Sequence, residues 1–87
     1  MRAIPAMRIV LSRKASLSAA DAPARIRKAF YKQLAFLERD LHHPSLRAKK
    51  YEEARGIWQA RVTKDWRFYF TIVDDAYVIR DVIPHPK

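Results

Sequence analysis

Apolar residues recur at helical spacing in the middle of the chain. They lie four, four, three and four residues apart, on one face of an α-helix, and they are Ile26, Phe30, Leu34, Leu37 and Leu41. Asp21 and Pro23 favour a helix start just before them, because aspartate accepts hydrogen bonds from first-turn N–H groups and proline is tolerated there. Pro44 disfavours helical dihedrals at His43. One amphipathic helix is therefore predicted between these boundaries.

Other segments alternate between apolar and polar residues with a period of two, the pattern of half-buried strands. They run from Met7 to Leu11, Ile57 to Val62, Arg67 to Val73 and Ala76 to Ile83. Polar pairs at Lys64-Asp65 and Asp74-Asp75 predict the turns between the last three. The stretch from Ser12 to Ala22 has no such period, and we interpret it as a connection with room for one helical turn.

These elements predict the fold class. No internal repeat, low-complexity tract or linker interrupts the 87 residues, so residues 1–87 are expected to form a single domain. One helix and a meander of strands joined by short turns indicate the α+β class, with a small antiparallel β-sheet packed against one or two helices.

Alternation also separates the two faces of the predicted sheet. The apolar parity is expected to lie under the helix, and it comprises Trp58, Ala60, Val62, Phe68, Phe70 and Ile72. The opposite parity is expected on an open face, and it comprises Gln59, Arg61, Arg67, Tyr69 and Thr71. The last strand stays ambiguous, because Arg80 and Asp81 fall on opposite faces.

The charge balance points to a polyanionic partner. Lysine and arginine number 18 against 9 acidic residues, and the pI is about 10.4, which is typical of proteins that bind nucleic acid. An acidic protein partner, or a positive surface without such a ligand, fits the same balance. The absence of cysteine excludes a disulfide framework, a thiolate zinc site and a thiol nucleophile.

Neither a membrane nor a metal is expected. No stretch approaches the roughly 20 apolar residues that cross a bilayer, and the N-terminus lacks the apolar run of a secretory signal, so a cytoplasmic location is predicted. His42 and His43 have no third ligand at a recognisable spacing. We find no glycine-rich phosphate loop and no cofactor motif.

Three segments, from His42 to Lys50, Gly56 to Val62 and Asp65 to Phe70, carry a family resemblance. They contain a proline after the helix, a leucine with basic residues, a strand with basic side chains, and an aromatic residue before arginine. In this order they resemble the RelE-like toxins of bacterial type II toxin–antitoxin systems, within the RelE/ParE superfamily. The resemblance spans roughly Ile26 to His85.

The resemblance implies a function and a partner. RelE-like toxins cleave messenger RNA, usually at the ribosome, and a cognate protein antitoxin restrains them. Their catalysis uses no metal: a ribose 2′-hydroxyl attacks the adjacent phosphate, cationic side chains stabilise the developing charge, and a proton donor helps the 5′-oxygen leave. Arginine suits this role because its fork grips phosphate oxygens and keeps its charge.

The resemblance assigns three catalytic candidates. Arg67 matches an arginine that follows an aromatic residue at the start of a central strand, and Arg61 matches a basic position on the preceding strand. His85 matches a histidine at the end of the last strand, and imidazole titrates near neutrality, as a general acid requires. The alternative role for Arg67 is a salt bridge with Asp65 or Asp81.

A further set is expected to contact RNA, and it comprises Lys49, Lys50, Gln59, Trp66, Tyr69 and Arg80. Lys49 and Lys50 are predicted in a loop, and Trp66 in a turn where it could stack on a base. Gln59 stands where some members carry lysine or glutamate, and an amide can orient groups but cannot transfer a proton. Many members also have an arginine or tyrosine after the last strand that is missing here, which leaves three alternatives: His85 performs that task alone, the chain is weakly active, or it is a shortened member.

Two alternatives stay open. A ParE-like protein would bind DNA gyrase and would need no RNA-cleaving residues, and an apolar groove would favour it. A catalytically degenerate, basic RNA-binding module would show steeply salt-dependent binding without cleavage.

Overall fold

A computed structural model describes residues 7–85 and contains two helices and five strands. The elements are β1 (Arg8–Leu11), α1 (Arg13–Asp21), α2 (Ala24–Arg39), β2 (Lys49–Glu52), β3 (Ile57–Thr63), β4 (Trp66–Val73) and β5 (Ala76–Pro84), with short 3₁₀ helices at Pro44–Leu46 and Glu53–Arg55. The strands form one sheet of order β1-β5-β4-β3-β2. The predicted α+β class and the three-stranded meander are confirmed.

The sheet is mixed, not antiparallel throughout as predicted, because β1 pairs parallel to β5. The two helices lie between β1 and the meander in the chain, and a parallel pair requires such a crossover. The Arg8 N–H donates to the Asp75 carbonyl at 2.7 Å, and the Arg8 guanidinium contacts the Asp75 carboxylate at 3.1 Å. These contacts set the register of the parallel pair.

The segment predicted as a connection is instead the nine-residue helix α1. Ser12 caps its N-terminus, accepting from the Ala15 N–H at 3.1 Å, and the Ser12 hydroxyl donates to the Arg80 carbonyl at 3.2 Å. Ala15 and Ala19 are completely buried. Because only small residues face the core, the apolar periodicity of this helix is weak in the sequence.

Helix α2 is confirmed, but its predicted boundaries are wrong. Asp21 ends α1, and the N-cap of α2 is Pro23, which forms no side-chain hydrogen bond. The helix ends at Arg39, well before Pro44, because Asp40 is extended and its carboxylate accepts from the His42 N–H at 2.9 Å. Leu41 therefore packs against the core from beyond the helix.

The core lies between the helices and one face of the sheet. The α2 residues Ile26, Phe30, Leu34 and Leu37 are buried there, together with Ala60, Val62, Phe68, Phe70, Ile79 and Val82 of the sheet. The rings of Phe30 and Phe68 meet edge to face, 5.5 Å apart. Ile72, which was expected in this layer, is 42% exposed.

A β-bulge explains the ambiguous last strand. Tyr69 pairs with Asp81 and Phe70 with Ile79, so Arg80 is an extra residue between them. The bulge lets both Ile79 and Val82 enter the core although they are three residues apart. The faces assigned by parity therefore hold on β3 and β4, while β5 changes phase at Arg80.

Candidate active site

A cavity of about 230 Å³ opens on the face of the sheet opposite the core. We call it the basic groove, and it is lined by Arg47, Lys49, Gln59, Arg61, Arg67 and His85. All but Arg47 were predicted as site residues. No acidic side chain lines it, so the groove suits an anion.

Strand register brings these side chains together. β3 and β4 place Arg61 directly opposite Arg67 and Gln59 directly opposite Tyr69, and β2 places Lys49 opposite Gln59. The predicted loop around Lys49 is wrong, since this residue begins a strand. The Gln59 amide donates to the Tyr69 hydroxyl at 3.0 Å, so both side chains are held at one edge of the groove.

The Arg67 guanidinium is fixed by the turn between β3 and β4. Its Nη1 donates to three carbonyl oxygens, those of Thr63 at 2.7 Å, Trp66 at 3.0 Å and Lys64 at 3.2 Å. Within residues 7–85, its Nε and Nη2 form no hydrogen bond and it has no carboxylate partner. Its remaining N–H groups can therefore bind an anion.

The expected alternative for Arg67, a salt bridge with Asp81, is not formed, because α1 occupies that carboxylate. The Ser18 hydroxyl donates to Asp81 Oδ1 at 2.7 Å, and Lys14 Nζ lies 3.3 Å from Asp81 Oδ2. Asp65 forms no salt bridge with the arginine either, among the residues that the structure describes.

The groove concentrates unpaired positive charge. Partial burial, followed by the nearby charges of Arg61 and Arg47, lowers the pKa of Arg67. The Arg61 Nε is buried and has no hydrogen-bond partner among the described residues. Like charges directly opposite each other on adjacent strands are destabilising. A bound anion would relieve the repulsion between the two guanidinium groups.

His85 reaches the groove through a backbone contact. It follows β5, and its N–H donates to the Asp65 carbonyl at 2.7 Å. The end of β5 is thereby held against the turn that also holds Arg67. The imidazole is exposed and lines the groove, so one cavity contains two arginines and a histidine.

Three residues predicted to contact RNA lie away from the groove. Lys50 pairs with Trp58, one residue out of phase with Lys49. Trp66 packs against the core instead of presenting a ring in a turn. Arg80 lies at the bulge, donates to Thr71 Oγ1 at 3.2 Å and lines a separate cavity. Tyr69 borders the groove through its bond with Gln59.

Arg47 is the site residue that sequence reasoning missed. It follows the 3₁₀ helix Pro44–Leu46 and adopts a left-handed conformation with φ of 46°, which is uncommon for a residue other than glycine. Leu46 is completely buried, so the chain reverses immediately after it to enter β2. Its place in a basic segment was visible in the sequence, whereas this backbone conformation was not.

The adjacent histidines have local structural roles. The His43 ring stacks on Phe36 at 3.9 Å, and its Nδ1 accepts from the Ser45 N–H at 3.2 Å.

Residues 7–85 contain no group of three histidine or acidic side chains able to hold a metal ion. Neither α1 nor α2 is long and apolar enough to cross a membrane.

Known structures share this fold. A chain of the archaeal RelE–RelB complex from Pyrococcus horikoshii OT3 superposes with a TM-score of 0.76 at 16% identity, covering 92% of this chain and 96% of that one. The YoeB dimer from Staphylococcus aureus gives 0.76 at 16% identity, with coverages of 94% and 100%. The RelBE2 toxin–antitoxin complex from Mycobacterium tuberculosis gives 0.75 at 21% identity, with coverages of 93% and 100%.

The likeness lies in the structure and not in the sequence. No family model matches this chain, and no curated protein is similar to it in sequence. The superposed structures show that this chain has the RelE-like α+β fold, which agrees with the fold that the sequence resemblance implied. In this chain the groove residues lie on β2, β3 and β4, directly after β5 and, for Arg47, between the 3₁₀ helix Pro44–Leu46 and β2.

Proposed function

We propose that this chain is a RelE-like toxin that cleaves messenger RNA in the basic groove without a metal ion. The observation that carries the proposal is the convergence of Arg61, Arg67 and His85 on one cavity that no acidic side chain lines. One of the structures that share the fold, RelBE2 from Mycobacterium tuberculosis, is a toxin–antitoxin complex. An apolar groove would have favoured gyrase binding, and the groove is polar and cationic.

In the proposed reaction, a ribose 2′-hydroxyl attacks the adjacent phosphorus while its proton passes to solvent water, and the bond to the 5′-oxygen breaks. The products are a 2′,3′-cyclic phosphate and a 5′-hydroxyl. Arg61 and Arg67 stabilise the negative charge that grows on the phosphate oxygens, the role in which preorganised donors contribute most. His85 donates the proton that the departing 5′-oxygen takes.

The groove lacks one element of fast catalysis. Gln59 and Tyr69 can orient the attacking ribose, but an amide cannot accept its proton, and no carboxylate lines the cavity. General acid–base groups contribute roughly 10²- to 10⁴-fold each. We therefore expect the protein to be a slow nuclease when it acts alone. We propose that it cleaves messenger RNA at the ribosome, which orients the RNA strand.

An antitoxin is the second proposed partner. The superposed structures include a RelE–RelB complex and RelBE2, and the net charge of +9 would attract an acidic chain. We propose that a cognate antitoxin covers the basic groove with an acidic or amphipathic segment. Both partners would meet the toxin in the cytoplasm.

The test is induced expression in a bacterium of the wild type, Arg61→Ala, Arg67→Ala and a control, Arg25→Ala. Arg25 is exposed on α2 and outside the groove, so the control removes the same charge. Arg61→Ala is the sharper variant, because Arg61 Nε has no hydrogen bond to lose. Growth and new 5′ ends on messenger RNA are measured, and circular dichroism of each purified protein checks its fold.

The proposal predicts arrest with cleavage for the wild type and Arg25→Ala, and neither for the groove variants. Arrest without new 5′ ends would instead support the gyrase-binding alternative. No arrest from a soluble, folded wild type would support the non-catalytic binding module.

A further inference from the structure

A second cavity of about 530 Å³ adjoins the basic groove and is larger than it. It lies between α2, the segment after α2 and the β3–β4 turn, and we call it the α2 cleft. Its lining residues are Ala29, Lys32, Gln33, Phe36, Pro44, Ser45, Arg47, Arg61, Val62, Thr63 and Lys64. Arg47 and Arg61 line both cavities, so the two cavities are neighbours that share these side chains.

The α2 cleft has positive charge on opposite walls. Lys32 extends from α2, and Lys64 lies in the turn after β3. Both are exposed, and within residues 7–85 neither takes part in a salt bridge. No acidic residue lines the cleft. These charges have no role in folding that the described contacts show, and they suit a phosphate group.

The cleft also has an apolar wall, which a site for phosphate alone would not need. Phe36 is half-buried, and its ring stacks on His43 with an interplanar angle of 9°. Pro44 and Ala29 extend this wall. Because the stacking fixes the Phe36 ring, a flat apolar group can pack there with little loss of side-chain entropy. Cations beside an aromatic wall are the combination that binds single-stranded nucleic acid.

The base of the cleft is rigid. Gln33 is only 7% exposed, and its Nε2 donates to the Arg61 carbonyl at 2.8 Å and the Ser45 carbonyl at 3.0 Å. These bonds join α2, the segment after it and β3, so the walls are held at a fixed separation. The volume falls within the roughly 300 to 1,000 Å³ typical of preformed ligand sites.

We propose that the α2 cleft binds a nucleotide that flanks the scissile phosphate on the same RNA strand. Its phosphate lies between Lys32 and Lys64, its base packs against Phe36 and Pro44, and Arg47 and Arg61 connect it to the groove. The inference rests on the proposed function for the identity of the ligand as RNA. It adds a second subsite that extends the contact beyond the cleaved bond.

The test uses binding of uncleavable 2′-O-methyl oligonucleotides, measured by fluorescence anisotropy. A dinucleotide is compared with versions extended by two nucleotides on the 5′ or the 3′ side. The variants are wild type, Lys32→Gln/Lys64→Gln, and the control Arg25→Gln/Lys28→Gln. The control removes two exposed charges from α2 outside both cavities, so it matches the change in net charge.

We expect extension on one side to tighten binding to the wild type and the control, but not to the cleft variant. With the extended oligonucleotide, the slope of log affinity against log salt should fall by about 0.7 in the cleft variant, since each phosphate neutralised on a single strand contributes about 0.7 and the two lysines share one phosphate. An abasic spacer in the extension should weaken wild-type binding at least fivefold, because stacking on aromatic residues supports each base.

Three results would overturn the inference. The first is that neither extension increases the affinity for the oligonucleotide, and the second is that the control variant loses as much affinity as the cleft variant. The third is that the abasic spacer leaves the affinity unchanged while an acidic peptide displaces the oligonucleotide. The last would assign the cleft to an acidic protein. Because the oligonucleotides cannot be cleaved, these outcomes do not depend on nuclease activity. Failure of the proposed function would appear separately, as missing new 5′ ends in cells.

Discussion

Gln33→Leu tests whether one buried amide positions the basic groove from behind the sheet. Gln33 Nε2 donates to the carbonyls of Ser45 and Arg61, and its Oε1 accepts from the Ser45 hydroxyl at 3.2 Å. Leucine has a similar volume and removes all three bonds. Two carbonyls then lose their donor in a site where the amide is 7% exposed.

The expected loss of stability follows from these bonds. Each contributes about 0.5 to 1.5 kcal/mol net, and burial of an apolar leucine offsets part of the total. We expect the free energy of unfolding to fall by about 2 kcal/mol, which lowers the Tm of a domain this size by roughly 8 to 16 °C. RNA binding should weaken as well, because the main chain of Arg61 loses its hydrogen bond from Gln33. The hydrogen bonds of Arg67 do not involve Gln33 and should be unchanged.

Ser45→Ala is the matched control. It removes the hydroxyl that contacts Gln33 and that lies 2.9 Å from His43 Nδ1, but it leaves both bonds from the Gln33 amide. Thermal and urea denaturation at several temperatures measure the stability, and anisotropy measures RNA binding well below the Tm. If Gln33→Leu lost no more stability than Ser45→Ala, the two carbonyl bonds would not hold these elements together.

Three further predictions concern the groove, the helix α1 and the parallel strand pair. Arg61→Gln should raise the Tm at low ionic strength by about 2 to 4 °C, because it removes repulsion between Arg61 and Arg67 worth about 0.5 kcal/mol. In thermal denaturation at about 1 M salt, where charges are screened beyond roughly 3 Å, this gain in Tm should disappear. A Tm below that of the wild type at low ionic strength would contradict the repulsion. Ser12→Ala should cost about 1 kcal/mol through loss of the α1 cap, measured by urea denaturation, and an unchanged midpoint would contradict this role. The hydrogen bond from Arg8 lowers the pKa of Asp75 below its ordinary value of 3.8. The pairing of Arg8 with Asp75 therefore stabilises the fold fully above pH 3.8, and this contribution is lost as the pH falls through the lowered pKa. Asp75→Asn should therefore be less stable than wild type at pH 7, with a Tm difference that shrinks as the pH falls below 4, and a constant difference would exclude the pairing as its cause.

The sequence predicts α2 and the meander because their core residues are large and strictly periodic. Phe30 and Leu37 recur on the helical face, while Phe68 and Phe70 alternate along β4. Once β3 and β4 are aligned by a short turn, their parity also places Arg61 and Arg67 on one open face. These features depend on contacts between residues that are close in the chain, which is why pattern alone suffices for them.

Other features depend on distant contacts that no local pattern encodes. Helix α1 buries only alanines, and its polar residues bind Asp81 more than 60 positions away. The parallel pairing of β1 depends on where both helices carry the chain. Arg47 lines the groove from a left-handed conformation directly after the buried Leu46. The hydrogen bonds from Gln33 to β3 and to the segment after α2 could not be predicted from the sequence, because a polar residue on α2 is expected to face solvent.

The groove and the contacts that support it together explain how the fold keeps several cations close together. Arg61 and Arg67 repel each other across adjacent strands, and neither has an acidic partner among the described residues. Local opposition of this kind is typical of functional sites, where stability is exchanged for a preorganised charge. Here hydrogen bonds to backbone carbonyls compensate for the repulsion. Carbonyls of the β3–β4 turn accept from the Arg67 guanidinium, and the Arg61 carbonyl accepts from Gln33. Because neither support uses a carboxylate, both leave the positive charge of the groove available to a bound anion.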